Sequence, residues 1–234
     1  MLCQQRFLRN YHHIARGFPR GLAAWALLGC ILQSAFSADK PAASPAADPR
    51  TTTLFDGKTL TGWSGDEKMF RVEDNAIVCG TLAEKIPHNF FLATDKEYKN
   101  FELRLKFKLA GEGINSGIQL RSRRIPNHHE MIGYQADLGS GYFGALYDES
   151  RRNKILSGPD QAKIEKILKP GEWNDYRIRC EGPRIQLWIN GQPTVDYTEE
   201  DQGIEQTGHI ALQIHGGPPS AASFKDIELT PLPD

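Results

Sequence analysis

The sequence predicts an all-β domain built as a sandwich of two packed antiparallel sheets, and three observations predict it. First, Phe101-Glu102-Leu103-Arg104-Leu105-Lys106-Phe107-Lys108-Leu109 alternates apolar and polar residues without a break. That is the period of a strand with one buried face; a helix would spread both classes around its axis. Second, Asn190-Gly191 separates two further alternating runs, and this dipeptide suits the type I′ turn of a two-residue hairpin. Third, from Thr53 onward short runs of this kind are divided by clusters of Gly, Asn, Asp and Pro, with no internal repeat. This is the texture of a sandwich or barrel.

Taken in chain order, residues 1–37 carry the marks of an export signal. Arg6, Arg9, Arg16 and Arg20 precede a mostly apolar run from Leu22 to Phe36, and Ala35-Phe36-Ser37 supplies small residues for cleavage. The apolar run, about 15 residues, falls short of the roughly 20 that span a bilayer. An uncleaved anchor is the rival reading, and Leu27-Leu28-Gly29-Cys30 loosely resembles a lipobox, although Ile31-Leu32 after the cysteine argues against it. Residues 38–52 are Ala/Pro/Ser-rich and read as a linker. Residues 53–234 then form one domain, enough chain for a sizeable core. The expected location is periplasmic or extracellular.

Within that domain the alternation predicts strands over residues 101–109, 118–121, 134–137, 176–180 and 210–215, a hairpin over 184–197, and a closing strand over 223–230. The one helical candidate is 161–168. Signal removal leaves Cys79 and Cys180, which an oxidising compartment would allow to pair; two buried free thiols on separate strands is the preferred reading. The 234-residue chain carries a formal net charge of -1, and its most basic stretch lies in the signal. Neither nucleic acid nor, once the signal is gone, a membrane is therefore an expected partner.

The chemistry sits opposite the core residues. Gln119 and Arg121 alternate with Ile118 and Leu120, Gln135 and Asp137 with Tyr134 and Ala136, and Gln213 and His215 with Leu212 and Ile214. Three segments far apart in sequence each present an amide and, two residues on, an ionisable group. A shared face of this composition suits a polyhydroxylated ligand, because amides and Arg offer hydrogen bonds in fixed planes. The cluster Gly139, Gly141 and Gly144 permits a tight loop that brings Tyr147, Asp148, Glu149 and Arg152 to the rim of the same sheet. No metal or cofactor is expected. His128-His129-Glu130 sits on a segment read as extended, where adjacent side chains diverge, and no Asp-x-Asp-x-Asp-Gly loop occurs. Ser116 lacks a Gly-x-Ser-x-Gly elbow and reads as a turn residue.

Several motifs in order resemble a known family. Leu54-Phe55-Asp56-Gly57-Lys58-Thr59-Leu60-Thr61-Gly62-Trp63, Asn115-Ser116-Gly117-Ile118, Gly133-Tyr134-Gln135-Ala136-Asp137 and Gly144-Ala145-Leu146-Tyr147-Asp148-Glu149 are followed by Gly171-Glu172-Trp173-Asn174, Trp188-Ile189-Asn190-Gly191 and residues 210–219. Together they are similar to the 3-keto-disaccharide hydrolase domain of the concanavalin A-like lectin/glucanase superfamily. The resemblance implies a jelly-roll sandwich with a sugar-cradling sheet, and cleavage of glycosides already oxidised to a ketone at C3. Such a ketone acidifies the C2 proton, so a base can remove it and expel the C1 substituent; water then adds back. That route needs a base near C2, an acid near the leaving oxygen and donors for the enolate. The expected base is Asp137 or His215, with Glu149 as the acid or its partner. Arg121, Gln135 and Gln213 would hold hydroxyls and the oxyanion, and Gln119, Tyr147, Asp148 and Arg152 would complete the substrate contacts. The rival reading is a non-catalytic carbohydrate-binding module using the same amides with exposed aromatics such as Tyr142 or Trp188.

Overall fold

The computed structural model describes residues 48–234; the expected export signal and most of the linker lie outside the described residues. Fifteen strands and one short helix follow one another: β1 (Thr52–Thr53), β2 (Trp63–Ser64), β3 (Phe70–Glu73), β4 (Ala76–Thr81), β5 (Phe90–Thr94), β6 (Phe101–Ala110), β7 (Asn115–Arg124), β8 (Met131–Gly139), β9 (Leu146–Glu149), β10 (Lys154–Ser157), α1 (Gln161–Glu165), β11 (Asn174–Glu181), β12 (Arg184–Ile189), β13 (Gln192–Thr198), β14 (His209–Ile214) and β15 (Ser220–Pro231). They form two antiparallel sheets. The first runs β13-β12-β11-β6-β15-β4-β3 with β1 on β15, and the second runs β10-β9-β8-β7-β14-β5-β2.

The alternation in β6 sends Phe101, Leu103, Leu105 and Phe107 into the space between the sheets. There they join Ile118, Leu120, Tyr134, Ala136, Leu138, Leu212 and Ile214 from the second sheet. Each large apolar side chain so buried contributes about 1.5–3 kcal/mol, which fixes the register and leaves the alternate residues of β7, β8 and β14 on the outer face. Asn190 and Gly191 take φ of 48° and 80°, as a type I′ hairpin requires. Among the described residues Cys79 and Cys180 are buried and unpaired, on β4 and β11. The helix is shorter than expected, closing at Glu165. Pro170 biases its predecessor away from helical geometry, and the chain is turning by then.

One irregularity shapes the outer face. The β7–β8 ladder shifts register between Leu120 and Arg123, and Arg121 there takes φ of 49°, the mark of a bulge that bends and twists its strand. Beyond it the hairpin curls across the outer face of its own sheet. Met131 is buried against Phe91, Ala93 and Ala211 in a second small apolar cluster. Arg124 Nη2 donates to the carbonyls of Ser64 at 2.6 Å and Phe91 at 3.3 Å. At the tip, Asn89 Nδ2 donates to both Glu130 oxygens, at 3.0 and 3.2 Å, and Asn89 Oδ1 accepts from the Gly216 amide. Gly133 makes the curl possible: its φ is 152°, and a Cβ there would stand 2.2 Å from Ser122 Oγ. Residues 125–130 form a turn rather than an extended segment, so the His128 and His129 rings stack at 4.4 Å instead of diverging.

Candidate functional site

The covered outer face holds a chain of amides. Ser122 Oγ donates to Gln119 Oε1 at 2.6 Å, Gln119 Nε2 to Gln135 Oε1 at 2.8 Å, and Gln135 Nε2 to Asp137 Oδ1 at 2.8 Å. All four side chains are buried. Gln119 and Gln135 are direct cross-strand partners, and Asp137 lies opposite Gly117. The missing side chain of Gly117 leaves the space that Gln135 fills, since a Cβ there would come within 2.7 Å of Gln135 Cγ. The relay therefore ends on one carboxylate oxygen and fixes its orientation.

Asp137 opens into a hollow of about 250 Å³ lined by Asn115, Gln135, Asp137, Tyr142, Tyr147, Glu149, Ile155 and His215. Burial raises the Asp137 carboxyl to about 7; the Gln135 amide opposes the shift and the charge of Glu149 adds to it. Burial likewise raises Glu149 to about 7, reinforced by the negative charge of Glu130 and opposed by the Gln213 amide. Gln213 Nε2 makes only a long 3.4 Å contact with Glu149, and Gln213 Oε1 is a buried acceptor with no partner. His215 Nδ1 lies 2.6 Å from the Gly216 carbonyl. Because a carbonyl only accepts, that nitrogen carries hydrogen, and in the neutral ring Nε2 keeps its lone pair. The arrangement holds two carboxyls with pKa values near neutrality and one imidazole around a space large enough for part of a sugar, the equipment of proton transfer.

Of the expected residues, Gln119, Gln135, Asp137, Tyr147, Glu149, Gln213 and His215 meet on or beside this hollow. Arg121, Asp148 and Arg152 do not. Arg121 sits at the bulge, which breaks the count of two and turns its side chain away. Its Nε donates to Lys99 O, and its Nη atoms donate to Gly182 O, Gln206 Oε1 and Asn100 Oδ1. Asp148 and Arg152 fail for a different reason: residues 146–149 are a strand, not a loop. β9 pairs Tyr147 with Gln135 and Asp148 with Tyr134, so Tyr147 and Glu149 face the hollow while Asp148 points to the core side. There Asp148 binds Arg151 and Arg152, and Arg152 reaches Glu199 at 2.6 Å. Ser116 is likewise a strand residue, its Oγ donating to Gln213 O at 2.6 Å. Asn115 and Ile155 complete the lining without a role expected from sequence, and Tyr142, expected only as a stacking aromatic of the binding-module reading, joins them there. Asn115 shares the parity of Gly117 and Gln119 and was open to the same counting. Ile155, an apolar residue on a short edge strand, carried no sequence signal.

The family model that matches the chain describes a 3-keto-alpha-glucoside-1,2-lyase-like domain and spans residues 50–230. No curated protein matches the sequence. Among solved structures, a protein of Parabacteroides distasonis, provisionally designated a glycosyl hydrolase, superposes with a TM-score of 0.59 at 22% identity, covering 78% of this chain and 94% of its own. The carbohydrate-binding module CBM66 of Bacillus subtilis gives 0.56 at 10% identity over 73% and 97%. A Bacillus subtilis protein of unknown function with a galectin-like fold gives 0.56 at 10% over 73% and 90%. These likenesses establish the jelly-roll fold.

Proposed function

Because the chain belongs to the family of 3-keto-alpha-glucoside-1,2-lyase-like domains, we propose that it is an exported enzyme that cleaves 3-keto-glycosides, 3-keto-disaccharides among them, by eliminating the C1 substituent. The observation that carries this reading is the pair of carboxyls, Asp137 buried and Glu149 half-buried, both raised to about 7 in one hollow. A base of that pKa is ionised often enough at neutral pH to take a proton acidified by a neighbouring ketone, and a carboxyl of that pKa is protonated often enough to give one. Asp137, held through Oδ1 by Gln135, removes the C2 proton. The C2–H electrons pass into the enolate of the C3 ketone and return to form the C1–C2 double bond as the C1–O bond breaks, and Glu149 supplies the proton to the departing oxygen. Asn115, which lines the hollow, serves the enolate oxygen and neighbouring hydroxyls, and Gln213 acts behind it through Glu149. His215 Nε2 is the alternative proton acceptor. Addition of water across the double bond then gives net hydrolysis.

The hollow's lining contains neither Lys nor Arg, which matches a neutral sugar better than a uronate or sugar phosphate. The test incubates the purified domain with a 3-keto-glycoside and its unoxidised parent in D2O. Release of the leaving group from the ketone alone, with deuterium entering at C2, is the expected result. Cleavage of both would replace elimination with ordinary glycoside hydrolysis. Binding of the ketone without cleavage or exchange would leave a carbohydrate-binding module.

A further inference from the structure

Only three large apolar side chains stand exposed among the described residues, Leu82, Tyr142 and Ile155. Two of them, each 46% exposed, flank the same hollow as the two carboxyls. Ile155 is the cross-strand partner of Tyr147, itself the partner of Gln135, so Ile155 and Tyr147 stand side by side on the outer face next to the amide relay. Tyr142 comes from the turn between β8 and β9. That turn is tied to the base itself: Asp137 N donates to Ala145 O at 2.9 Å and Gly144 N to Asp137 O at 3.0 Å, while Tyr142 N and Ala145 N close the turn through Gly139 O and Tyr142 O. The ring is thereby carried on a short, hydrogen-bonded loop whose position relative to Asp137 is set by backbone.

We infer that Tyr142, Ile155 and Tyr147 form a platform for a flat, apolar leaving group, so that the preferred substrates are 3-keto-glycosides of aromatic alcohols. This rests on the proposed cleavage of 3-keto-glycosides. The floor of the hollow, Asn115, Gln135, Asp137, Glu149 and His215, offers the hydrogen-bonding partners that a ketosugar requires. On the rim Ile155 offers none, and Tyr142 and Tyr147 offer one hydroxyl each. A second sugar placed there would leave hydroxyls against the Ile155 side chain, which cannot bond them, whereas an aromatic ring meets two phenol side chains and a branched aliphatic, contacts it favours. An exposed apolar residue such as Ile155 on the edge strand also invites unwanted pairing, and use by a ligand accounts for its presence.

The test is calorimetric binding of two carbon-linked 3-keto-glucosides, one phenyl and one methyl, whose bond at C1 is not a leaving-group bond. The phenyl ligand should bind about 10-fold more tightly than the methyl ligand. In the double variant Tyr142→Ser/Ile155→Ser that ratio should fall to about two or less, with thermal stability retained because both residues are at the surface. Equal affinity in the natural protein, or a ratio preserved in the double variant, overturns the platform while leaving oxygen-linked ketone cleavage untouched. Conversely, failure to release any leaving group from oxygen-linked 3-ketones overturns the enzymatic reading and leaves this binding ratio to be judged by itself. Absence of binding by either ligand overturns the platform, and the enzymatic reading then stands or falls on release from the oxygen-linked ketones.

Discussion

Replacing Gln135 by Met removes the donor to Asp137 while keeping the side chain's length. The bond is short, 2.8 Å, and both groups are buried. A hydrogen bond to a charged group of this kind contributes about 1.5–3 kcal/mol, which is about 1–2 pKa units at 1.36 kcal/mol each. Losing it disfavours the carboxylate, so Asp137 should rise from about 7 to roughly 8–9. Glu149 stays near 7. Treating the two as independent, the active form needs Asp137 ionised and Glu149 protonated. At equal pKa values that form peaks at about one quarter of the enzyme. With the base raised by one to two units, the optimum moves up by about 0.5–1 pH unit and the peak falls about 4- to 30-fold. The assay is leaving-group release from a 3-keto-glycoside between pH 5 and 10, accompanied by carboxyl NMR of Asp137, which reads the titration without turnover. An optimum and a carboxyl titration both unmoved would refute the claim that the relay sets the basicity of Asp137. The substitution also orphans Gln119 Nε2, so a loss of about 1–3 kcal/mol in stability is expected alongside it.

Asp137→Asn should stabilise the fold at high pH. The folded pKa of about 7 exceeds the ordinary 3.8, so the folded state holds this proton more tightly than the unfolded one. The natural protein's stability from that proton is complete below about pH 4 and lost as pH rises through 7. The cost at pH 8.5 has an upper bound of about 4 kcal/mol, and the variant's gain in melting temperature should be several degrees at pH 8.5 and near zero at pH 4. A gain independent of pH would remove Asp137 as a strained carboxyl. Gly117→Ala should reproduce the Gln135→Met pH profile, because the new Cβ would occupy the place of Gln135 Cγ and Cδ at 2.7 Å; an unchanged profile would mean that Gln135 has another seat. Arg121→Met should lower stability by at least about 3 kcal/mol, through four lost bonds to Lys99, Gly182, Gln206 and Asn100, with the KM for a 3-keto-glycoside unchanged. A large rise in KM at intact stability would return Arg121 to the sugar site.

The sheets were legible wherever burial enforces a count of two. Phe101 to Leu109, Tyr134 to Asp137 and Ile210 to Ile214 all follow the alternation, because a one-residue slip would turn every apolar side chain to water. Gln119, Gln135, Asp137 and Gln213 were found on that basis. Arg121 was not, and could not be. A bulge adds one residue without changing the apolar texture on either side, so Leu120 and Ser122 give no hint that parity has shifted between them. Asp148 and Arg152 were misplaced because glycines at 139, 141 and 144 suggested that the loop continued, while the four residues of β9 are too few to display a period. The stack of His128 on His129 was hidden for a related reason, since a turn at 125–130 is set by the curl of the hairpin and not by local composition.

The same bulge that defeats the sequence reading explains why the amides on this face behave as they do. Three glutamines on an open sheet would bond to water, and none would need to find another. The curl begun at Arg121 and permitted by Gly133 lays Met131 over Phe91, Ala93 and Ala211 and excludes water from the rows beside them. Buried amides must then pair with one another, and Ser122, Gln119 and Gln135 do so in a single direction that ends on Asp137. Burial of the same face raises Asp137 and Glu149 into the neutral range. The bulge also removes Arg121, whose cation among the carboxyls would have pulled both pKa values back down. Restoring regular alternation at this point would therefore open the face to water and bring in a positive charge, and either change would return the two carboxyls to their ordinary acidity. On this reasoning the departure from strand geometry is what holds two carboxyls near neutrality on this face, as the proposed proton transfers require.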